Sequence, residues 1–271
     1  MSHRPFLSFS HRFIPGGALA AVAGLTALIS LFLPTSAEAY NRRFVYSYEA
    51  GGMPQGLLEF EPWFTYKNYG DGFAWDFRYE LEYAVTDNLI IAAYLSDWRY
   101  SDRKGKSEAE WKTAGMEVLY TLSNPTADWI GSALYGEFLI GPEKFALEGK
   151  VILNKTWGPL SVVYNGILEA EWEGEDYSER VGVIENTLGA SYQFNPKFFV
   201  GVEALHEVEL EDWSNAGQHG IYVGPNVSYR TSGVNQPGKG SFFATAALLF
   251  QATDIDDEPE SQVRLIFGYF F

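Results

Sequence analysis

Residues Phe73–Val85 read FAWDFRYELEYAV. Phe73, Trp75, Phe77, Tyr79, Leu81, Tyr83 and Val85 occupy every second position, with Ala74, Asp76, Arg78, Glu80, Glu82 and Ala84 between them. A period of two sends the two sets to opposite faces of one β-strand. In a soluble sandwich the apolar face would be core and the polar face would meet water. In a membrane barrel the apolar face meets lipid and the polar face lines the interior. A single strand fits both cases, so the rest of the chain has to separate them.

Similar segments recur near 57–67, 73–85, 89–100, 111–122, 130–140, 145–156, 160–172, 181–193, 198–210, 220–230, 241–251 and 261–271. Segments of this length, tilted by ~40°, cover about 25–33 Å, the height of an outer-membrane apolar band. The usual soluble strand is only ~5–6 residues long. The connections alternate in character. One set, 86–88, 123–128, 157–159, 194–197 and 231–240, carries Asn, Pro and Gly turn formers. The other, 68–72, 101–110, 141–144, 173–180, 211–219 and 252–260, is mostly longer and more charged. This alternation predicts an all-β, transmembrane, antiparallel up-and-down barrel of about 12 strands, with the first set of connections facing the periplasm and the second outside. Trp98, Trp111 and Trp172 border outer loops, and Trp129 and Trp157 abut inner turns. That is where interfacial aromatic girdles lie.

The N-terminus has a different grammar. His3, Arg4, His11 and Arg12 precede the apolar run GGALAAVAGLTALISLFLP, and Ala37 and Ala39 form an A-x-A exit. This order describes a secretory signal peptide over 1–39, cleaved before Tyr40, with an uncleaved anchor as the alternative. Residues 40–56, in which Phe44, Tyr46 and Tyr48 alternate, read as a lead-in or plug that folds against or into the barrel mouth. The barrel itself is assigned to 57–271. The chain has 271 residues, no Cys and a net charge of −16. The missing Cys excludes a disulfide scaffold and thiolate metal sites. The acidic balance offers no basic stripe for nucleic acid.

The chain ends QVRLIFGYFF over 262–271, with Val263, Leu265, Phe267, Tyr269 and Phe271 on one face. With the signal peptide and the amphipathic strands, this resembles a Gram-negative outer-membrane β-barrel protein, porin-like in kind. The resemblance implies that these five residues form the assembly signal read by the outer-membrane assembly machinery. It also implies contact with outer-membrane lipids and lipopolysaccharide, and residence in the cell outer membrane. The stretch YSYEAGGMPQGLLEFEPWFTY (46–66) is similar to a group of bacterial outer-membrane proteins and brings no activity with it.

On a barrel, the polar faces place Glu59, Glu61, Asp76, Glu80, Glu82, Glu117, Glu137, Glu148, Glu169, Glu171, Glu185 and Glu203 in the lumen. The bases there are Arg78, Lys150, Arg230 and Arg264. An acidic, water-filled lumen attracts cations and repels anions. The expected function is therefore a passive pore for small solutes, with a small cationic solute as cargo. The alternative is a lumen packed shut by ion pairs, in a barrel with a structural or surface role. The acid pairs Glu59/Glu61, Glu80/Glu82 and Glu169/Glu171 follow from strand alternation. The loop residues Asp254, Asp256, Asp257, Glu258 and Glu260 lack the ligand spacing of a calcium loop. A lipid hydrolase is disfavoured. Barrel phospholipases and deacylases place Ser two residues after the catalytic His, whereas His206 and His219 are followed there by Val208 and Ile221. Ser191 or Ser214 would have to come near a His in space. Motifs for phosphate, dinucleotide and zinc-protease chemistry are absent. No cofactor, metal or catalytic residue is expected.

Overall fold

The computed structural model describes residues 42–232 and 237–271. The expected signal peptide and its cleavage site lie outside the described residues. The strands are β1 (Leu58–Tyr69), β2 (Gly72–Thr86), β3 (Leu89–Arg103), β4 (Lys106–Ser123), β5 (Gly131–Ile140), β6 (Lys144–Trp157), β7 (Leu160–Glu173), β8 (Glu179–Gln193), β9 (Phe198–Glu211), the two-residue β10 (Asn215–Ala216), β11 (Gly220–Arg230), β12 (Phe242–Gln251) and β13 (Ser261–Phe270). The twelve long strands pair antiparallel in chain order, with β9 followed by β11. β13 closes on β1 in a register that places Tyr69 beyond Ser261 and sets Glu59 opposite Phe270. The Phe271 N–H donates to the Leu58 carbonyl at 2.8 Å. The barrel is thus closed, and among the described residues no long strand keeps an unpaired edge.

The sequence expectation of twelve strands holds, with two local differences. Residues 101–110 are strand almost throughout rather than a loop. β3 and β4 run on to a two-residue turn at Lys104 and Gly105, whose φ values are 53° and 75°. Positive φ at both central positions matches the right-handed twist of the flanking strands. The charges of this stretch decorate an extended hairpin. The second difference is a bulge in β3. Tyr79 pairs Ser96 while Glu80 pairs Tyr94, so Leu95 is an extra residue. A bulge shifts the alternation by one position. Tyr94 and Asp97 therefore both face inward, and Leu95 is exposed on the outer wall.

Outward positions carry the large apolar side chains, including Leu168, Leu188, Tyr192, Val202 and Val263. Trp98 and Trp111 are exposed cross-strand partners. In the last strand, Val263, Phe267, Tyr269 and Phe271 are exposed while Gln262, Ile266 and Phe270 are buried. We refer to the end of the barrel that holds Leu58 and Phe271 as the terminal end, and to the opposite end as the loop end. At the loop end Asp71 is held by Arg103 (2.8 Å). The hydrogen bond from that guanidinium keeps the exposed Asp71 carboxyl below the usual carboxylate range.

Gly268 is the one residue of QVRLIFGYFF that faces inward without a side chain. A Cβ there would lie 2.0 Å from the Phe243 ring and 2.1 Å from Glu59 Oε1. The glycine therefore leaves the space that the Glu59 carboxyl occupies. Phe271 contributes differently, through its backbone bond to Leu58 and a ring contact with Tyr269 at 4.8 Å. Deleting Phe271 removes both from the closing seam. The expected outcome is a several-fold loss of folded barrel in membranes, read as the heat-modifiable band on gels, with the lumen of the surviving barrels unchanged. Normal assembly of the truncated chain would contradict this.

Candidate functional site

The lumen is divided by the chain itself. Residues 42–53 are buried throughout and run inside the barrel as a strap. Their short polar and aromatic sequence, RRFVYSYEAGGM, forms no long strand, so its backbone groups need partners from the wall. Glu203 on β9 supplies the main clasp. The N–H groups of Val45, Tyr46 and Ser47 donate to its two carboxyl oxygens at 2.9, 2.8 and 3.1 Å. The Asn226 amide on β11 donates to the same carboxyl at 2.9 Å. Asn165 on β7 reads both backbone groups of Tyr48, accepting from its N–H at 2.6 Å and donating to its carbonyl at 2.9 Å. Ser228 and Thr245 donate to the Arg42 carbonyl at 3.0 and 2.5 Å.

Side chains complete the fit. Arg42 pairs with Glu61 at 3.0 Å and lies over the Tyr48 ring at 4.3 Å. Arg43 pairs with Glu49 within the strap at 2.6 Å. Phe44 is fully buried and enters a space opened by Gly189, where a Cβ would approach its ring to 2.6 Å. Lys150 sits 4.2 Å over both Tyr48 and Tyr135, and Arg264 sits 4.3 Å over Tyr46. Such cation–π contacts strengthen where water is excluded.

Above the strap, toward the loop end, the lumen opens into a cavity of about 450 Å³. Val45, Tyr46 and Tyr48 of the strap line it together with the wall. Nine carboxyl groups face it against six basic groups. The acids include Asp76, Asp97, Glu137, Glu148, Glu169, Glu171 and Glu185, and the bases include Arg78, Lys150 and Arg264. Many of these are paired along the wall. Asp76 meets Lys67 (3.2 Å) and Arg99 (3.0 Å). Arg78 holds Asp97 with two nitrogens, at 3.0 and 2.7 Å, and reaches Glu137 at 3.6 Å. Lys144 bridges Glu169 (3.4 Å) and Glu171 (2.5 Å), and Lys150 meets Glu148 at 3.1 Å.

The remaining inward acids lie nearer the terminal end. Glu59, Glu61, Glu80, Glu82 and Glu117 are all buried. Strand register sets Glu59 opposite Glu82 and Glu61 opposite Glu80. Glu117 accepts from the hydroxyls of Tyr94 and Tyr48. Arg230 lies at the terminal end, 4.5 Å over the Phe199 ring. Sequence reasoning missed Asp97, because the Leu95 bulge breaks the alternation that assigns faces. It also missed Lys67, Arg99 and Lys144, which moderate the negative charge, and it offered no sign of the Glu203 clasp.

Among the described residues, His206 and His219 do not meet a serine. His206 engages Asn186 at 3.1 Å and His219 at 2.8 Å through its two ring nitrogens, on the outer face. Ser191 is buried on the inner face, across the wall. The acidic loop is tied to its neighbours: Asp257 meets Lys104 (3.2 Å), and Glu258 accepts from Tyr222 (3.1 Å).

Comparison with solved structures places this architecture. The barrel is similar to the COG4313 outer membrane channel from Pseudomonas putida F1, with a TM-score of 0.62 at 10% identity over 85% of this chain and 100% of that one. The fold is that of an outer-membrane β-barrel. The barrel is also similar to the translocator domain of the autotransporter NalP from Neisseria meningitidis, with a TM-score of 0.50 at 12% identity over 94% and 97% of the two chains. Residues 162–269 match the model of a family of unknown function, DUF6662. No curated protein matches the chain.

Proposed function

We propose that the protein lies in the outer membrane and is a gated pore for small cations, with the 42–53 strap as its gate. The observation that carries this reading is the vestibule of about 450 Å³, in which nine carboxyl groups outweigh six basic groups and whose floor is the strap. A cleft lined by one excess sign raises the local concentration of opposite ions. The similarity to a protein described as an outer membrane channel supports the same reading. The closed-lumen alternative draws on the strap, since its many wall contacts block the terminal half in this conformation. Both readings place the loop end toward lipopolysaccharide and give Val263, Leu265, Phe267, Tyr269 and Phe271 the role of an address for the assembly machinery.

Reversal potentials test the selectivity. A barrel lacking residues 42–53, placed in a planar bilayer under a KCl gradient, should show a potential of the sign set by K⁺. Replacing Glu148, Glu169 and Glu185 with Gln should move it toward zero or past it. A chloride-selective potential in the strap-deleted barrel would overturn the cation assignment.

A further inference from the structure

We propose that Glu59, Glu61, Glu80 and Glu82, with Glu117 at the margin, bind a hard divalent cation of the Ca²⁺ class between the β1–β2–β4 wall and the strap. This site is separate from the vestibule and does not depend on conduction.

The geometry comes from strand register. Two i, i+2 acid pairs on adjacent antiparallel strands face each other, so their four carboxyl groups converge from a single patch of wall. Oxygens of Glu59, Glu61 and Glu82 all lie within 4.8 Å of one another, and so do oxygens of Glu80, Glu82 and Glu117. A span of 4.8 Å is what a cation with oxygen bonds of about 2.4 Å bridges. The two groups share Glu82.

A second observation points to a ligand. Both carboxyl oxygens of Glu59, both of Glu80 and Oε2 of Glu61 are buried and accept no hydrogen bond from the described residues. The Glu203 carboxyl, buried in the same lumen, instead receives four donors. Arg42 meets Oε1 of Glu61, an oxygen that also accepts from the Trp63 indole at 2.6 Å. Buried carboxyl oxygens without compensation are costly. Gly268 fits the same design, because its missing side chain is what lets Glu59 turn into the cluster. The donor set is all carboxylate oxygen. The chain has no Cys, and His206 stands on the outer wall. That chemistry selects Ca²⁺ or Mg²⁺ over zinc or copper, and the number of carboxylates and their spread favour Ca²⁺.

The test uses the full chain folded in detergent in the presence of CaCl₂, passed through Ca²⁺-free buffer and analysed by plasma mass spectrometry. About one Ca²⁺ per folded chain is expected. Glu59→Gln/Glu80→Gln should reduce retained Ca²⁺ at least ~10-fold. Asp256→Asn/Asp257→Asn, in the exposed loop, should leave it unchanged. As a second measurement on the unmodified acids, Tb³⁺ emission excited through tryptophan should be displaced by Ca²⁺ and should fall in Trp63→Phe. Folded wild type that retains no Ca²⁺ would overturn the site and indicate carboxyl groups that share protons. Full retention by Glu59→Gln/Glu80→Gln, or Tb³⁺ emission indifferent to Trp63→Phe, would overturn it as well.

Discussion

Replacing Glu203 with alanine frees the strap and raises ionic conductance. The Glu203 carboxyl accepts three consecutive backbone N–H groups of the strap and one amide of Asn226. Truncation leaves those N–H groups buried without partners, at a cost of about 1–3 kcal/mol for each. Even a net loss of about 2 kcal/mol from the closed state raises the open population ~30-fold. The barrel wall itself should persist, because the β8–β9 and β9–β11 ladders run through the backbone. The measurement is the open probability in bilayer recordings. Glu203→Gln, which keeps one acceptor oxygen, should fall between wild type and Glu203→Ala. Unchanged conductance in Glu203→Ala would remove Glu203 as the clasp.

Gly189→Val should produce a similar opening by a steric route. The new side chain would drive into Phe44, since even a Cβ comes within 2.6 Å of the ring and 3.0 Å of Val163. Overpacking of this kind costs about 1–3 kcal/mol. Valine suits a strand, so relief should come from movement of the strap rather than loss of β8. Phe44→Ala in the Gly189→Val background makes room again. The double variant should leak less than Gly189→Val alone. A double variant as leaky as the single would show that Gly189 does not shape the Phe44 site.

Although 89–100 and 241–251 are apolar on both faces, most of the long strands were legible in the sequence because they repeat a period of two with large apolar residues on one face. FAWDFRYELEYAV shows this most plainly, and β2 follows it from Gly72 to Thr86. The turn at Lys104-Gly105 was harder to read, because charged residues on both sides of it resemble a solvated loop. The Leu95 bulge left no local mark either. One extra residue in LIIAAYLSDWRY is invisible until the partner strands set the register, yet it decides that Asp97 meets Arg78.

The site was less legible than the wall for a related reason. Alternation assigns a residue to a face but says nothing of what it meets across the lumen. Glu80 and Glu185 look alike in sequence. One belongs to the terminal-end acid cluster and the other to the vestibule. The strap is harder still, since its contacts join residues more than a hundred positions apart. Inward-facing asparagines such as Asn165 and Asn226 are the signal that could have pointed to a backbone bound there. In an interior otherwise rich in acids, an amide offers both donor and acceptor.

The central claim is that the strap, and not the wall, closes this barrel. Single-channel recording of the wild-type chain beside one lacking residues 42–53 tests it most directly. Long closures are expected in the wild type, and stable, cation-selective openings in the strap-deleted barrel. Equal conductance from the two proteins, or a strap-deleted barrel that is folded and silent, would contradict it.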